Sequence, residues 1–320
     1  MSTPGVKEEA ADEDAQALQG DEATLFRAVA ARSKYLSQDR PELLYAAKEA
    51  CRSMASPTLG AMKKAKRIGG YLAGRPRSVQ VFEHQELPHK LRVYCDSDWA
   101  ACRTTRRSTS GGCVQLGAHV LRSWSTTQSV TALSSGEAEY YAMLKGTSLG
   151  SGIQAMADDL ALFFDVVLYT DSAVATGIAQ RRGLGKTCHI QVAHLWLQEK
   201  VHRKELGLRK VAAAANPADL MTKHLVEAAM LAHMDRMNSE VRQGRHEIMP
   251  EVNSVLAQVA RRVPAEAFGD QKENDAVPHR LPPKGSAVNS RCVLRENQGR
   301  AWLEKQPREK ASVTRLWAQP

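Results

Sequence analysis

The chain contains 320 residues, of which 43 % are hydrophobic and 25 % are charged; these proportions are typical of globular proteins and exclude a wholly disordered or fibrous chain. An excess of 44 lysines and arginines over 35 aspartates and glutamates gives a formal charge of +9, which favours polyanionic partners such as nucleic acid or an anionic membrane. The six cysteines show neither CxxC pairing nor the density of a disulfide scaffold, so reduced thiols are expected and a structural zinc site is not.

The N-terminal residues 1–22 are acidic and contain few large apolar side chains. Folding such a segment would not repay the conformational entropy lost, so we expect a disordered acidic tail. The segment also lacks the basic start and apolar run of a signal peptide, and no stretch of the sequence approaches the ~18 consecutive apolar residues of a membrane span. These features predict an intracellular protein without membrane contact, in either the cytoplasm or the nucleus.

Helical periodicity characterises residues 23–76. Its clearest segment runs from Leu59 to Leu72, where Met62, Ala65 and Ile68 recur at spacings of three and four, as on one face of a helix. Basic residues fill the other positions. A solvated helix face is the simpler explanation for them, and a face that tracks phosphates is the alternative.

Strand patterns begin near residue 90. Apolar residues alternate with polar or aromatic ones over 91–96, which is the period of a strand. A basic turn over 103–110 follows, and two apolar runs within 112–124 predict a hairpin around Gly117. The sequence therefore predicts three successive strands.

Helices alternate with strands in the next part of the chain. Ser134 and Ser135 precede acidic residues, which is a common start of a helix, and we expect this helix to end near Ser148. The further predicted elements are a helix over 153–163, a buried strand over 166–169, helices over 173–180 and 189–201, a strand over 206–211 and a short helix over 217–224 capped by Asn216.

The periodicity fades towards the C-terminus. Methionines and a leucine at helical spacing predict an amphipathic helix over 227–243. Residues 244–320 are rich in proline, glycine and arginine, so we expect them to be mostly disordered. Trp302 and Trp317 are candidate docking points within this tail.

The predicted order of elements describes a mixed α/β protein with an antiparallel hairpin on an otherwise parallel sheet. Four acidic residues fall at the ends of these elements: Asp96, Glu139, Asp171 and Asp219. Because ligands of open α/β sheets gather at the carboxyl ends of strands, these carboxylates could converge. Converging acids repel one another unless a cation neutralises them, and oxygen ligands of this kind suit Mg²⁺ or Mn²⁺.

Six motifs carry a more specific signal. In chain order they are YCDSDWA (94–100), RRSTSG (106–111), SWSTTQSVTALSSGEAEYYA (123–142), YTDS (169–172), KTCHIQVAHLWLQE (186–199) and NPADLMTKHL (216–225). In this order and spacing they resemble the ribonuclease H domain of Copia-type (Ty1/copia) retrotransposon polyproteins, over about residues 90–226. The upstream stretch from Phe26 to Leu72 is similar to the family's segment between the polymerase palm and ribonuclease H.

The resemblance implies a ribonuclease H-like fold, a mixed five-stranded sheet flanked by helices. Residues 90–226 would form the nuclease domain, and residues 23–76 would be a helical remnant of the reverse-transcriptase segment. The implied activity is endonucleolytic hydrolysis of the RNA strand of RNA–DNA hybrids by two-metal-ion chemistry, with Mg²⁺ or Mn²⁺. The catalytic and metal-binding acids of the family correspond to Asp96, Glu139, Asp171 and Asp219.

Two of these assignments set aside a neighbouring acid. The family's first acid follows directly on the apolar run, where Asp96 stands, and Asp98 is expected to lie outside the metal shell or at the surface. Glu137 and Glu139 point about 200° apart on a helix, so only one can face the metal. The family pattern AEYxA places that role on Glu139, and Glu137 is expected to support the helix dipole.

Substrate contacts are predicted for one turn and one histidine. The turn residues are Arg106, Arg107, Ser108, Thr109 and Ser110. Contact with the nucleic-acid backbone is one interpretation of this turn, and ordinary loop solvation is the other. His189 matches a histidine of the Copia pattern, although a capping or packing role is the commoner one for a histidine near a helix start.

Departures from the family pattern leave a second function open. The polymerase motif, an aromatic residue followed by paired aspartates in a hairpin, is absent, because Asp158 and Asp159 stand in a helical context. DNA synthesis is therefore not expected. Cys188 stands where the family commonly has a basic residue. The alternative to an active ribonuclease is a catalytically inactive nucleic-acid-binding or scaffold remnant of a retroelement.

Overall fold

The computed structural model describes residues 2–6, 15–102, 104–185 and 187–244. The helices in these ranges are α1 (Gly20–Leu36), α2 (Leu44–Arg52), α3 (Leu59–Gly74), α4 (Ser135–Asp158), α5 (Ala173–Gln180), α6 (Trp196–His202) and α7 (Glu227–Arg236). The strands are β1 (Arg77–Gln80), β2 (Lys90–Asp98), β3 (Thr109–Leu116), β4 (His119–Thr127), β5 (Asp165–Thr170), β6 (Gly207–Lys210) and β7 (Ser239–Arg242). Within these ranges, no helix combines the length and the apolar character that crossing a membrane requires. The tail predicted over 244–320, with Trp302 and Trp317, lies outside the described residues from position 245 onwards.

Five strands form a mixed sheet in the order β4-β3-β2-β5-β6. β3 pairs antiparallel with β2 and β4, whereas β5 lies parallel to β2 and β6. On β2 the predicted alternation holds, because Leu91, Val93 and Cys95 are fully buried. The predicted mixed five-stranded sheet flanked by helices is confirmed, and it is the ribonuclease H-like architecture that the family resemblance implies.

The two-stranded sheet formed by β1 and β7 has no counterpart in the sequence prediction. The two strands pair antiparallel, and β7 occupies the second half of the amphipathic helix expected over 227–243. That helix is therefore too long in the prediction, since α7 ends at Arg236. Asn238 then takes a positive φ of 52°, a left-handed conformation that asparagine tolerates better than most residues, and this turns the chain into β7.

A single helix, α4, replaces the two helices expected over 135–148 and 153–163. Its N-terminus is the predicted one, because the Ser134 hydroxyl accepts the backbone N–H of Glu137 at 3.2 Å as a cap. Helix α4 then continues without a break to Asp158. The predicted interruption near Ser148 is wrong.

Two glycines in the middle of α4 explain its close contact with the sheet. A Cβ atom at Gly146 would come within 2.1 Å of the Cys95 sulfur, and one at Gly150 within 2.8 Å of Val93. These positions need glycine because the helix lies directly against β2, although glycine costs a helix about 1 kcal/mol relative to alanine. The close approach brings the first turns of α4 next to the end of β2.

Two predicted helices in the C-terminal half are shorter than expected. The helix predicted over 189–201 begins with a 3₁₀ turn at Val192–Leu195 and continues as α6. The helix predicted over 217–224 is a 3₁₀ turn, Pro217–Met221. Its cap is as predicted, because the Asn216 side chain accepts the N–H of Ala218 at 3.2 Å.

Ordered structure at the N-terminus begins before the predicted boundary at residue 22. Helix α1 starts at Gly20, Ala17 forms an isolated β-bridge with Thr58, and Leu18 is buried. The acidic residues 7–14 of the predicted tail lie outside the described residues.

One hydrophobic core lies between the sheet and helices α4, α5 and α6. Val93 of β2, Leu168 of β5 and Met143 of α4 are fully buried in it. Because successive side chains of a strand point to opposite faces, Tyr94 and Cys113 face away from this core. The sheet is therefore covered on both faces.

The second core covers the opposite face of the sheet. It contains Phe26 of α1, Ile68 of α3 and Met230 of α7, together with Cys113 of β3 and Met221 of the 3₁₀ turn. All five are at most 2 % exposed. The N-terminal helices therefore share one hydrophobic interior with the sheet.

Replacing Phe26 by alanine should destabilise the whole described fold by about 3–5 kcal/mol, because it leaves a large cavity in the second core. Chemical denaturation should show one cooperative transition, whose midpoint lies at a lower denaturant concentration than in the wild type for both the sheet and the helices. Leu25→Ala is the matched control, since Leu25 is 57 % exposed and its loss should change stability by no more than about 0.5 kcal/mol. Two separate transitions in the wild-type protein would contradict a shared interior.

Candidate active site

Three carboxylates from three separate elements meet at the carboxyl end of β2. Asp96 lies near the end of β2, Glu139 in the second turn of α4, and Asp171 directly after β5; one oxygen of each lies within 4.8 Å of the others. β2 and β5 are parallel neighbours, so their carboxyl ends reach the same edge of the sheet. The convergence predicted for these three acids is therefore seen in the structure.

Hydrogen bonds hold two of the three carboxylates in place. One oxygen of Glu139, Oε1, accepts hydrogen bonds from the backbone N–H of Ser97 at 3.1 Å and from its hydroxyl at 3.0 Å. The other oxygen, Oε2, is buried and has no hydrogen-bond partner among the described residues. Asp96 accepts a hydrogen bond from the Thr222 hydroxyl. A buried oxygen without a partner, such as Oε2 of Glu139, costs folding free energy unless a ligand satisfies it.

Burial and mutual repulsion raise the pKa values of all three acids. Burial raises the pKa of Asp96 to about 7, with added repulsion from Asp219 and against the attraction of the Lys223 ammonium. Burial and then the charge of Asp96 together raise the pKa of Glu139 to about 8. For Asp171 the rise in pKa comes from burial and then from Asp219. The three ligand atoms of this group are all carboxylate oxygens, so the group fits a hard divalent cation.

Asp219, the fourth predicted acid, does not belong to this three-carboxylate group. Its carboxylate forms an ion pair with the Lys223 ammonium at 3.0 Å, and the same ammonium lies 3.6 Å from Asp96. The turn that carries Asp219 is fixed to β2 because the Asn216 side chain donates a hydrogen bond to the Cys95 carbonyl at 2.9 Å. Asp219 therefore lies beside the group and is linked to it through Lys223.

Glu137 has a larger part in the structure than the dipole support that the sequence predicts. Its buried carboxylate accepts hydrogen bonds from the N–H of Leu133 at 2.9 Å and the hydroxyl of Tyr141 at 2.9 Å, and it is paired with His189 Nε2 at 2.8 Å. Burial alone would raise the pKa of Glu137, but these hydrogen bonds hold the pKa below its usual value. Glu137 thus joins two loops to α4, and it is not part of the three-carboxylate group.

The predicted substrate contacts divide into exposed and buried residues. Arg106 and Arg107 are exposed on their turn, and the His189 side chain is 41 % exposed. Ser108, Thr109 and Ser110 are buried, where they accept hydrogen bonds from the Ala100 N–H, the Lys48 ammonium and the Gln128 side chain, at 3.1, 2.6 and 2.9 Å. These three hydroxyls lie inside the protein, and of the five predicted turn residues Arg106 and Arg107 have exposed side chains.

Lys223, Ser97 and Thr222 are residues of the site that the sequence analysis did not single out. Lys223 lies four residues after Asp219, which is the spacing at which opposite charges pair on a helical turn. That spacing was a usable signal for Lys223. The contacts of Ser97 and Thr222 depend on how separate elements pack, and no local pattern in the sequence indicates them.

No model of a known protein family matches the chain. Among curated proteins, an uncharacterised mitochondrial protein of Arabidopsis thaliana is 37 % identical over 119 residues, which cover 37 % of this chain and 49 % of that protein. The retrovirus-related Pol polyprotein from transposon TNT 1-94 of Nicotiana tabacum is 27 % identical over 186 residues, which cover 58 % of this chain and 14 % of the polyprotein. The chain therefore spans about half or less of the length of these relatives.

Solved structures with some similarity include ribonuclease H proteins. LC11-RNase H1, isolated from compost, is 19 % identical, with a TM-score of 0.31 and coverage of 42 % of this chain and 92 % of that one. An N-terminal RNase H domain from Mycobacterium tuberculosis is 16 % identical, with a TM-score of 0.28 and coverage of 47 % and 98 %. Prototype foamy virus protease-reverse transcriptase is 12 % identical, with a TM-score of 0.26 and coverage of 42 % and 19 %.

The sequence relationship and the motif pattern agree. The motifs over about residues 90–226 resemble the ribonuclease H domain of Copia-type polyproteins, and a curated relative is itself a Pol polyprotein from a transposon. The predicted resemblance is thereby confirmed, since this chain is similar over 186 residues to a Pol polyprotein from a transposon, in agreement with a Copia-type ribonuclease H region.

Proposed function

We propose that this chain is a metal-dependent ribonuclease that hydrolyses the RNA strand of RNA–DNA hybrids, with Mg²⁺ or Mn²⁺ as its cofactor. The observation that carries the proposal is the meeting of Asp96, Glu139 and Asp171, together with a buried Glu139 oxygen that has no hydrogen-bond partner among the described residues. The relationship to a Pol polyprotein supports the choice of substrate. An alternative cofactor class is disfavoured by the donor set, since soft metals prefer sulfur or imidazole ligands.

The residues of the chain would contribute geometry more than covalent chemistry. Asp96, Glu139 and Asp171 would hold the cation, which when bound supplies an activated nucleophile and stabilises the charge on the leaving oxygen. Ser97 orients the Glu139 carboxylate through two hydrogen bonds. Thr222 orients Asp96 in the same way. Hydrolysis would leave a 3′-hydroxyl and a 5′-phosphate, as the family resemblance implies.

Substrate would contact the exposed residues near this edge of the sheet. The guanidinium groups of Arg106 and Arg107 are exposed and suit phosphate groups of the hybrid backbone. His189, which pairs with Glu137, is proposed as a third substrate contact. In this proposal residues 90–226 form the nuclease domain, and the helical segment over 23–76 supports it through the second core.

Cleavage of a labelled RNA–DNA hybrid in the presence of Mg²⁺ tests the proposal. Asp171→Asn should reduce the cleavage rate about a hundredfold, since it removes one charge from a preorganised site. Asp165→Asn is the matched control, because Asp165 is exposed at the start of β5, the strand that ends just before Asp171. The cleavage rate of this variant should equal that of the wild type.

The same assay separates the enzyme from the catalytically inactive alternative. The exposed arginines and the charge of +9 would also serve a protein that only binds nucleic acid. Salt-sensitive binding of the hybrid by folded wild-type protein, with no product in Mg²⁺ or Mn²⁺, would establish that alternative and refute the ribonuclease.

A further inference from the structure

Lys223 lies between two of the acids that the family resemblance assigns to metal binding. Its ammonium is 3.0 Å from Asp219 Oδ1 and 3.6 Å from Asp96 Oδ2. The Lys223 side chain is 42 % exposed, whereas the side chains of Asp96 and Asp219 are 3 % and 14 % exposed. A solvent-accessible ammonium group is thus inserted from the surface between one buried carboxylate and one partly buried carboxylate.

The acids therefore fall into two sets that share Asp96. On one side, Asp96 meets Glu139 and Asp171 in the three-carboxylate group, where Glu139 Oε2 is buried without a hydrogen-bond partner in the described structure. On the other side, Asp96 and Asp219 are bridged by an ammonium group of the protein itself. The first set consists of carboxylates alone, whereas the second already contains a cation of the protein.

We propose that the Lys223 ammonium is an internal counter-cation that occupies the position between Asp96 and Asp219, so that the free protein takes up one divalent cation and not two. This inference rests on the proposed function and deepens it. A second divalent ion can reach Asp96 and Asp219 only when Lys223 moves away. The exposed stem of Lys223 permits that movement, and a phosphate group of a bound hybrid is an alternative partner for its ammonium.

Calorimetric titration of the substrate-free protein with Mn²⁺ tests the inference without any measurement of cleavage. We expect one ion per chain for the wild type and for Lys223→Arg, which keeps the charge, and two ions for Lys223→Met, which keeps most of the apolar stem. Lys200→Met is the control, because Lys200 forms an ion pair with Glu205 at the surface, and it should bind one ion.

Thermal unfolding in EDTA provides a second readout. Lys223→Met should unfold at a temperature roughly 4 °C or more below that of the wild type, because Asp96 and Asp219 lose the counter-charge of Lys223. Addition of Mn²⁺ should restore most of the difference. Lys200→Met should unfold within about 1 °C of the wild type, since exposed ion pairs contribute little.

The outcomes separate this inference from the proposed function. Two ions bound by the wild type, or a single ion bound by folded Lys223→Met, would overturn the role of Lys223 and leave the ribonuclease intact. If Lys223→Met fails to fold, the numbers of Mn²⁺ ions bound by the wild type and by Lys223→Arg still test the inference, because two ions bound by either protein would refute it. No Mn²⁺ bound by the wild type would refute both the inference and the metal centre.

Discussion

Asp96→Asn should reduce hydrolysis of an RNA–DNA hybrid about a thousandfold, as expected when a central preorganised charge is removed. Asp96 is 2 % exposed and belongs to both sets of acids, the three-carboxylate group and the pair bridged by Lys223. Water can take the place of the half-buried Asp171 more easily, so the loss for Asp96 should be the larger one. Single-turnover cleavage with saturating enzyme measures the effect on the chemical step.

Asp98→Asn is the matched control for this variant. Asp98 follows Asp96 by two residues on β2, but it is not part of the three-carboxylate group. Its replacement should change the single-turnover rate by less than about tenfold. A larger loss for Asp98→Asn than for Asp96→Asn would show that the first acid of the site was assigned to the wrong residue.

The same Asp96→Asn variant should be more stable than the wild type at pH 8 in EDTA, by on the order of 2–4 kcal/mol. Burial raises the pKa of Asp96 in the folded protein from 3.8 to about 7. At a pH below 3.8, the pKa of Asp96 in the unfolded chain, Asp96 is protonated in both states and does not lower the free energy of unfolding. As the pH rises from 3.8 to about 7, Asp96 ionises in the unfolded chain before it ionises in the folded protein. The wild type therefore loses stability over this range, whereas the variant does not, because asparagine does not titrate.

Urea denaturation of both proteins across this pH range measures the difference. The gap in unfolding free energy should be close to zero near pH 4 and should reach its full size near pH 8. His224, whose pKa burial lowers to about 4, opposes this trend in each protein and largely cancels in the difference. Saturating Mg²⁺ should narrow the gap, because the cation binds the folded wild type. An Asp96→Asn protein less stable than the wild type at pH 8 would contradict the repulsion inferred for this site.

The local features of the sheet could be predicted because they depend on periodicity and on caps. The alternation on β2, the Ser134 cap of α4 and the Asn216 cap of the last turn all appear in the structure. The acids Asp96, Glu139 and Asp171 could be placed together because the carboxyl ends of parallel strands share an edge. The strand alternation and the two caps are each encoded within a few neighbouring residues.

The errors arise where distant parts of the chain decide the outcome. Gly146 and Gly150 resemble helix breakers until their contacts with β2 are known. The hydroxyls of Ser108, Thr109 and Ser110 resemble an exposed polar loop, but they are buried and hydrogen-bonded by other elements. The pairing of Lys223 with Asp219 could be predicted from their spacing in the sequence, but its proximity to Asp96 could not. Tertiary packing, not local propensity, fixes all of these.

The second hydrophobic core also bears on which piece of this chain should fold as an independent molecule. A truncation just before residue 90 would keep the six motifs over 94–225 but would remove α1, α2 and α3 from one side of the sheet. Cys113 and Met221, now fully buried, would then lose part of the core that covers them, and Thr109 would lose the lysine that satisfies its hydroxyl. We therefore expect autonomous folding to require residues upstream of the motifs over 90–226, and expression of the longer segment to give the more stable protein.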